Sequence, residues 1–232
     1  MDLNNLILIL LLIGFNILFY KRFLLILKKH NPGLLIDDQL RKPQAFHISP
    51  TSVIGGFGIF FSLLIIYLYF FFFKNIFFFD YLSFCTLFFF LGLVDDLKIN
   101  FNPKIRLALM IIFLTVLVKY NNLYLDKTGI TILNNWIENS EIFSLIFISL
   151  CFLFVINGAN LIDGYNGLLG LHSLIIIINL FLINYVNENS DLAFLLFLVL
   201  LVLINFLIFN FPKAKIFLGD GGAYLLGAFI AV

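Results

Sequence analysis

Four clusters in this sequence hold residues whose types and spacing suit chemistry on phosphates. In Leu-Val-Asp95-Asp96-Leu-Lys98 two adjacent carboxylates end an apolar run. Neighbouring carboxylates beside hydrocarbon repel, and one protonates unless a cation compensates. Mg²⁺ with bound phosphate oxygens is the natural compensation, because it takes one or two carboxylates plus substrate oxygens. A pair of solvated acids closing a helix is the competing reading. The second cluster is Asn157-Gly-Ala-Asn160-Leu-Ile-Asp163-Gly164-Tyr-Asn166-Gly167. Its polar residues recur every third position, along one side of a helix or tight turn, and its glycines admit a ligand close to the backbone. Such a stripe beside hydrocarbon is costly unless satisfied; a polar seam between helices would satisfy it as well. The third, Lys215-Ile-Phe217-Leu-Gly219-Asp220-Gly221-Gly222, sets an acid among glycines where a helix begins. That suits phosphate or metal binding by backbone N–H groups and the helix dipole, and equally a turn with an N-cap aspartate. The fourth runs from Asp37-Asp38 through Arg41-Lys42-Pro43-Gln44, His47 and Ser49 to Gly55-Gly56; taken alone it reads as a basic connecting loop.

The elements that must position these clusters are membrane helices. Of the 232 residues, 62% are hydrophobic and 12% charged, against roughly a quarter charged in soluble domains; the mean hydropathy is +1.10. A membrane helix needs about 20 mostly apolar residues, and the apolar runs predict spans at 3–20, 52–73, 76–93, 104–120, 141–159, 167–185 and 191–210, with an eighth opening near Gly219. The expected fold is an all-α, polytopic transmembrane helix bundle of about eight spans, a single integral membrane domain over residues 1–232. Because the last run is too short to span, a fragment of a longer protein is expected. The start of the chain lacks a positive flank and a small-residue cleavage site, so it reads as the first span and not as a removable signal. Cys85 and Cys151 lie inside apolar runs with no metal-ligand spacing and read as packing residues.

Alternating the connections across the bilayer assigns eleven of the fourteen Lys and Arg to one side and three to the other. The positive-inside rule makes the richer side cytoplasmic and leaves the N-terminus outside. Asp37, Asp38, Asp95, Asp96, Asp163 and Asp220 all fall on that cytoplasmic side, whereas the outer loops offer only scattered polar residues, with Tyr124 and Trp136 as interfacial anchors. Four clusters far apart in sequence therefore meet one membrane face, as a metal-assisted, anion-binding site between helices would require.

In motif order the chain resembles the polyprenyl-phosphate N-acetylhexosamine-1-phosphate transferases, the family of the lipid I synthase and of the enzyme that begins enterobacterial common antigen and O-antigen synthesis. The resemblance runs through Lys42-Pro43-Gln44, His47 and Gly55-Gly56; Asp95-Asp96-Leu97 and Pro103; Asn157, Asn160-Leu161-Ile162-Asp163-Gly164 and Gly167-Leu168; and Phe217-Leu218-Gly219-Asp220-Gly221. It implies an exchange at the cytoplasmic face of the inner (plasma) membrane in which undecaprenyl phosphate attacks a UDP-sugar, giving undecaprenyl-diphospho-sugar and UMP. The implied cofactor is Mg²⁺, with Mn²⁺ as its substitute. The implied catalytic residues are Asp95, Asp96 and Asp163; Asp220, Asn160 and Asp95 match the metal region. Asn157, Asn160 and Asn166 fall to the substrate, Phe217 to the uracil, and Lys42 and His47 to the phosphates. UDP-sugar, polyprenyl phosphate and membrane lipid are the expected partners, with a homodimer compatible with the family and no nucleic acid.

Three departures qualify the resemblance. Position 166 is Asn where many members carry Asp. The loop reads Pro50-Thr-Ser-Val-Ile-Gly55-Gly56, unlike the stricter Gly-Thr-Pro-Thr-Met-Gly-Gly of lipid I synthases, which favours the branch acting on simple UDP-N-acetylhexosamines. The family's later cytoplasmic loop, rich in His and Arg, lies beyond Val232, so an inactive or truncated member is the alternative. An ion-coupled transporter would instead set its acids at the bilayer midplane within inverted repeats, and the multi-Asp signature of CDP-alcohol phosphotransferases does not occur.

Overall fold

The computed structural model describes residues 3–30, 35–37, 51–99, 102–125 and 127–232. All eight apolar runs are helical: α1 (Leu3–His30), α2 (Gly55–Tyr69), α3 (Phe79–Asp96), α4 (Pro103–Tyr120), α6 (Glu141–Ile162), α7 (Leu168–Val186), α8 (Ser190–Asn210) and α9 (Gly219–Ala231). Among the described residues, five stretches are long and apolar enough to cross a membrane by length and composition: Leu3–Ile26, Gly55–Lys74, Glu141–Ile162, Leu168–Val186 and Ser190–Asn210. In α3 and α4 charged residues stand near the helix ends, Asp80 with Asp95 and Asp96 in one, Lys104 and Arg106 with Lys119 in the other. The protein is an all-α polytopic membrane bundle.

Two local features escape the apolar pattern. One is α5 (Thr131–Asn139), inside the stretch expected to be an outer loop. It is too short to span, and only Ile137 on it is buried, while Trp136 packs edge-on against Phe143 of α6 at 5.4 Å between ring centroids. The other is a π-turn over Phe70–Lys74 that closes α2, with Asn75 in the left-handed region at φ 56° as its cap. Beyond the helices, β1 (Ile36–Asp37) pairs antiparallel with β2 (Thr51–Ser52), and Ser52 forms a parallel bridge to Ile216.

The helix α9 is the hub. It packs on α3, α6, α2 and α7, and nine of its thirteen residues are buried. Lipid gives no hydrophobic drive to bring helices together, so close backbone approach over small residues has to supply the contact. The sequence provides these residues where α9 meets its neighbours. A Cβ on Gly56 of α2 would stand 2.6 Å from the Gly222 backbone; one on Gly92 of α3 would stand 2.5 Å from the Asp220 carbonyl oxygen; one on Gly227 would stand 2.8 Å from Ile156 of α6. Around this hub, α1, α2, α7 and α8 build most of one apolar cluster and α3, α4 and α6 most of another, and α3, α6 and α9 contribute to both.

Because the Gly92 contact is to backbone, which cannot rotate away, Gly92→Ala is expected to cost about 1–3 kcal/mol through overpacking. A thermal-unfolding midpoint in detergent measures it, and an unchanged midpoint would mean that α3 and α9 do not touch there.

Candidate active site

The first turn of α9 has no side-chain cap of its own, since Leu218 precedes it. The acceptors come from α3. The Asp220 N–H donates to Oδ1 of Asp96 at 2.8 Å and the Gly221 N–H to Oδ2 at 2.9 Å. A carboxylate there answers both the orphan donors and the positive end of the helix dipole. Gly219 makes the bend with φ +79°, and a Cβ on it would lie 2.8 Å from the Asp96 carboxylate.

The first turn of α2 is solved the same way from the opposite direction. Ile54 offers no side-chain cap, and the Gly55 and Gly56 N–H groups each donate over 2.8 Å to the carbonyls of Phe217 and Leu218. The Phe217 N–H in turn donates to the Ser52 carbonyl at 2.7 Å. Phe217 is thus gripped by its backbone on both sides with a half-buried ring.

Asp95, beside Asp96, is held by α4: Arg106 forms an ion pair with its carboxylate, and the guanidinium carbon stands 5.9 Å from the ring centroid of Tyr224 on α9. Asp220 lies near this group, and its charge acts on Asp96, Asp163 and Arg106. Asp163 follows the last residue of α6, and burial pushes its carboxyl up to about 7, with the charge of Asp220 pushing the same way.

The four-membered polar stripe does not stay on one helix face. Asn157 bonds back to the Leu153 carbonyl at 3.1 Å, within α6. Asn160 lies beside the Tyr224 hydroxyl. Asn166, in the turn after α6, donates to the Pro212 carbonyl at 3.1 Å. Asp95, Asp96, Asp163, Asp220 and Asn160 are therefore brought together at one end of α3, α4, α6 and α9, while Asn157 and Asn166 make structural bonds beside them. Lys42 and His47 lie outside the described residues.

Three site residues were not singled out by their sequence context. Arg106 counts there only as a positive-inside charge, although a guanidinium ten positions after an acidic pair invites an ion pair. Tyr224 stands one helical turn after Asp220. Asn210, buried at the end of α8, accepts the Gly167 N–H at 2.5 Å and donates to the Ile216 carbonyl at 2.9 Å. It ties the turn after α6 to the segment before α9, and only its place at the end of an apolar run marks it. Among the described residues no three His, Cys, Asp or Glu side chains form a ready metal cage.

The glycosyl transferase family 4 profile matches residues 78–232, which carry Asp95, Asp96, Arg106, Asn160, Asp163, Asp220 and Tyr224 but not the start of α2. The chain is 37% identical to a phospho-N-acetylmuramoyl-pentapeptide-transferase from Dictyoglomus turgidum, over 80% of the chain and 59% of that protein. The corresponding enzyme of Dictyoglomus thermophilum is 35% identical over 95% of the chain and 72% of its own length. An undecaprenyl-phosphate alpha-N-acetylglucosaminyl 1-phosphate transferase from Thermotoga maritima is 35% identical over 77% of the chain and 49% of that protein. The chain thus spans less than two thirds of the first and last of these relatives.

Removing both Asp96 oxygens in Asp96→Ala leaves two N–H groups at a packed helix start, and a loss of about 2 kcal/mol is expected; a midpoint equal to that of the parent protein would refute the capping role. For Asp163 the sign of the pH effect follows from its raised value. An unfolded aspartate titrates near ~3.9, so the fold binds this proton more tightly than the unfolded chain does. The contribution is fully present below about pH 4 and is lost as pH rises through about 7. The cation-free protein should accordingly melt lower at about pH 8 than at about pH 5, and Asp163→Asn should reduce that difference, leaving the share of Asp96, whose carboxyl burial also pushes up to about 7.

Proposed function

We propose, because the chain belongs to glycosyl transferase family 4, that it transfers a sugar-1-phosphate from a UDP-sugar to undecaprenyl phosphate and releases UMP, as an early step in building cell-envelope polysaccharide. The observation that carries the reading is the convergence of Asp95, Asp163 and Asp220 with one guanidinium where four helices end. Acids so placed at the edge of a membrane bundle are functional by default. An oxygen of the lipid phosphate forms a bond to the β-phosphorus of the UDP-sugar, the bond from that phosphorus to the oxygen bridging to the α-phosphate breaks, and UMP leaves with the electron pair. The sugar we favour is an N-acetylhexosamine, as the Thermotoga maritima relative's name suggests for that protein.

The donor set fits Mg²⁺. The charge of Asp220 adds to the cost of ionising Asp163, both offer hard oxygen donors, and Mg²⁺ needs only one or two carboxylates beside phosphate and water. These two would hold the ion, which when bound would neutralise the diphosphate and the charge developing on the leaving nucleotide. Of the other residues expected at the metal, Asp95 already has Arg106 and Asn160 adjoins Tyr224.

In this reading Asp95 orients or relieves the lipid phosphate of its proton, with Arg106 held close to the same anion. Asp96 acts through the α9 cap and so through the placement of Asp220. The distribution of Lys and Arg supports a cytoplasmic site in the inner membrane with the N-terminus outside.

Purified protein given UDP-N-acetylglucosamine, undecaprenyl phosphate and Mg²⁺ should release UMP only when lipid and metal are both present. Asp95→Asn and Asp220→Asn should lower the rate by about 10² or more with an unfolding midpoint near that of the parent. These two are better controls than Asp96→Asn, which also disturbs the helix cap. No UMP from any of several UDP-sugars, with this chain and with one extended to the length of its relatives, would defeat the reading.

A further inference from the structure

Tyr224 sits in the packed cluster of α3, α4, α6 and α9 with only 1% of its surface exposed. A core aromatic would need no more explanation, but its neighbours are not all apolar. Arg106, whose side chain is 29% exposed, reaches across from α4 and lays its guanidinium 5.9 Å from the Tyr224 ring centroid while pairing with Asp95. Asn160 of α6 lies beside the hydroxyl of the same residue. Tyr224 therefore meets, from one turn below Asp220, a side chain from two of the three other helices that bring polar groups to the site.

A guanidinium carries five donors in a fixed plane, and stacking on an aromatic face sets the orientation of that plane. Asp95 alone anchors one edge of it and leaves rotation about the long side chain free. The ring supplies the missing restraint.

We propose that Tyr224 is a positioning residue: its ring fixes the guanidinium of Arg106 against Asp95, so that the remaining N–H groups are pre-aimed at the phosphate that reacts there. The proposal rests on the transferase reading for the identity of that phosphate, though not for the contact itself.

Removing the ring should slow turnover without weakening substrate binding. In Tyr224→Phe, which keeps the ring, kcat should stay within about threefold of the parent; in Tyr224→Met and Tyr224→Leu it should fall about tenfold, with KM for the UDP-sugar changed less than about threefold. The decisive arm is a double-mutant cycle. If Tyr224 acts through Arg106, then Arg106→Met with Tyr224→Met should be no slower than Arg106→Met alone, whereas a purely packing role would make the two losses multiply. Multiplying losses, or ring-free variants with unaltered kcat, would overturn the proposal.

A second arm needs no activity. Arginine modification by phenylglyoxal, mapped at Arg106 by mass spectrometry, should be about fivefold faster in the ring-free variants than in the parent and in Tyr224→Phe. Equal rates in all of them would also overturn it. If neither this chain nor the extended one released UMP, the transferase reading would fail while this arm still decided whether the ring holds Arg106.

Discussion

A helix that begins inside a packed bundle has N–H groups with no preceding turn to accept them, and each must find an acceptor. Two helices here start that way at the same end of the molecule. The Asp96 carboxylate, delivered by the last residue of α3, receives the first N–H groups of α9. The carbonyls of Phe217 and Leu218, from the segment leading into α9, receive those of α2. Each start is completed by a piece of chain more than a hundred residues away. The three helices are thus locked in axial register as well as in contact, and everything else in the site inherits its position from that lock.

The consequence for chemistry is that α9 carries its functional groups as a rigid unit. Asp220 is fixed by its own backbone N–H, and Tyr224 follows one turn later on the same helix. Arg106 from α4 is brought to Tyr224 and Asp95 together, and Asp163 closes the site from the end of α6. The acids are kept near one another although their charges repel. Burial and like charge together raise the cost of ionising Asp163, a cost that the packing energy of the bundle sustains and that a bound cation would relieve.

Elsewhere the membrane environment leaves its mark as polar contacts between helices. The peripheral helix α1 is joined to α2 by three of them: Asn5 accepting from Tyr69, Asn16 donating to Ser62, and Tyr20 donating to the Gly55 carbonyl. In hydrocarbon such groups have no water to fall back on, so each bond also specifies rotation and register. The Tyr20 contact reaches the first residue of α2, which couples α1 to the helix starts that organise the site.

Hydrophobic runs alone determined the helices, because a chain with so few charges cannot bury its apolar surface in a small globule and must place it in lipid. The parity of those runs also put Asp95, Asp96, Asp163 and Asp220 at one end of the bundle, since each cluster interrupts an apolar segment. What sequence could not determine was the division of labour among them. Asp95 and Asp96 are chemically identical neighbours, yet one is paired with Arg106 and the other caps α9, because adjacent residues on a helix lie about 100° apart and meet different partners. The Asn157 to Asn166 stripe has a helical period, but α6 ends at Ile162 and the last two members belong to the turn. Arg106, Tyr224 and Asn210 join the site only through contacts between segments distant in the chain, and α5 is too short for its pattern to register. Composition and period are local properties and survive in one dimension. Which acceptor a buried N–H finds, and which face a guanidinium rests on, are settled only when the helices pack.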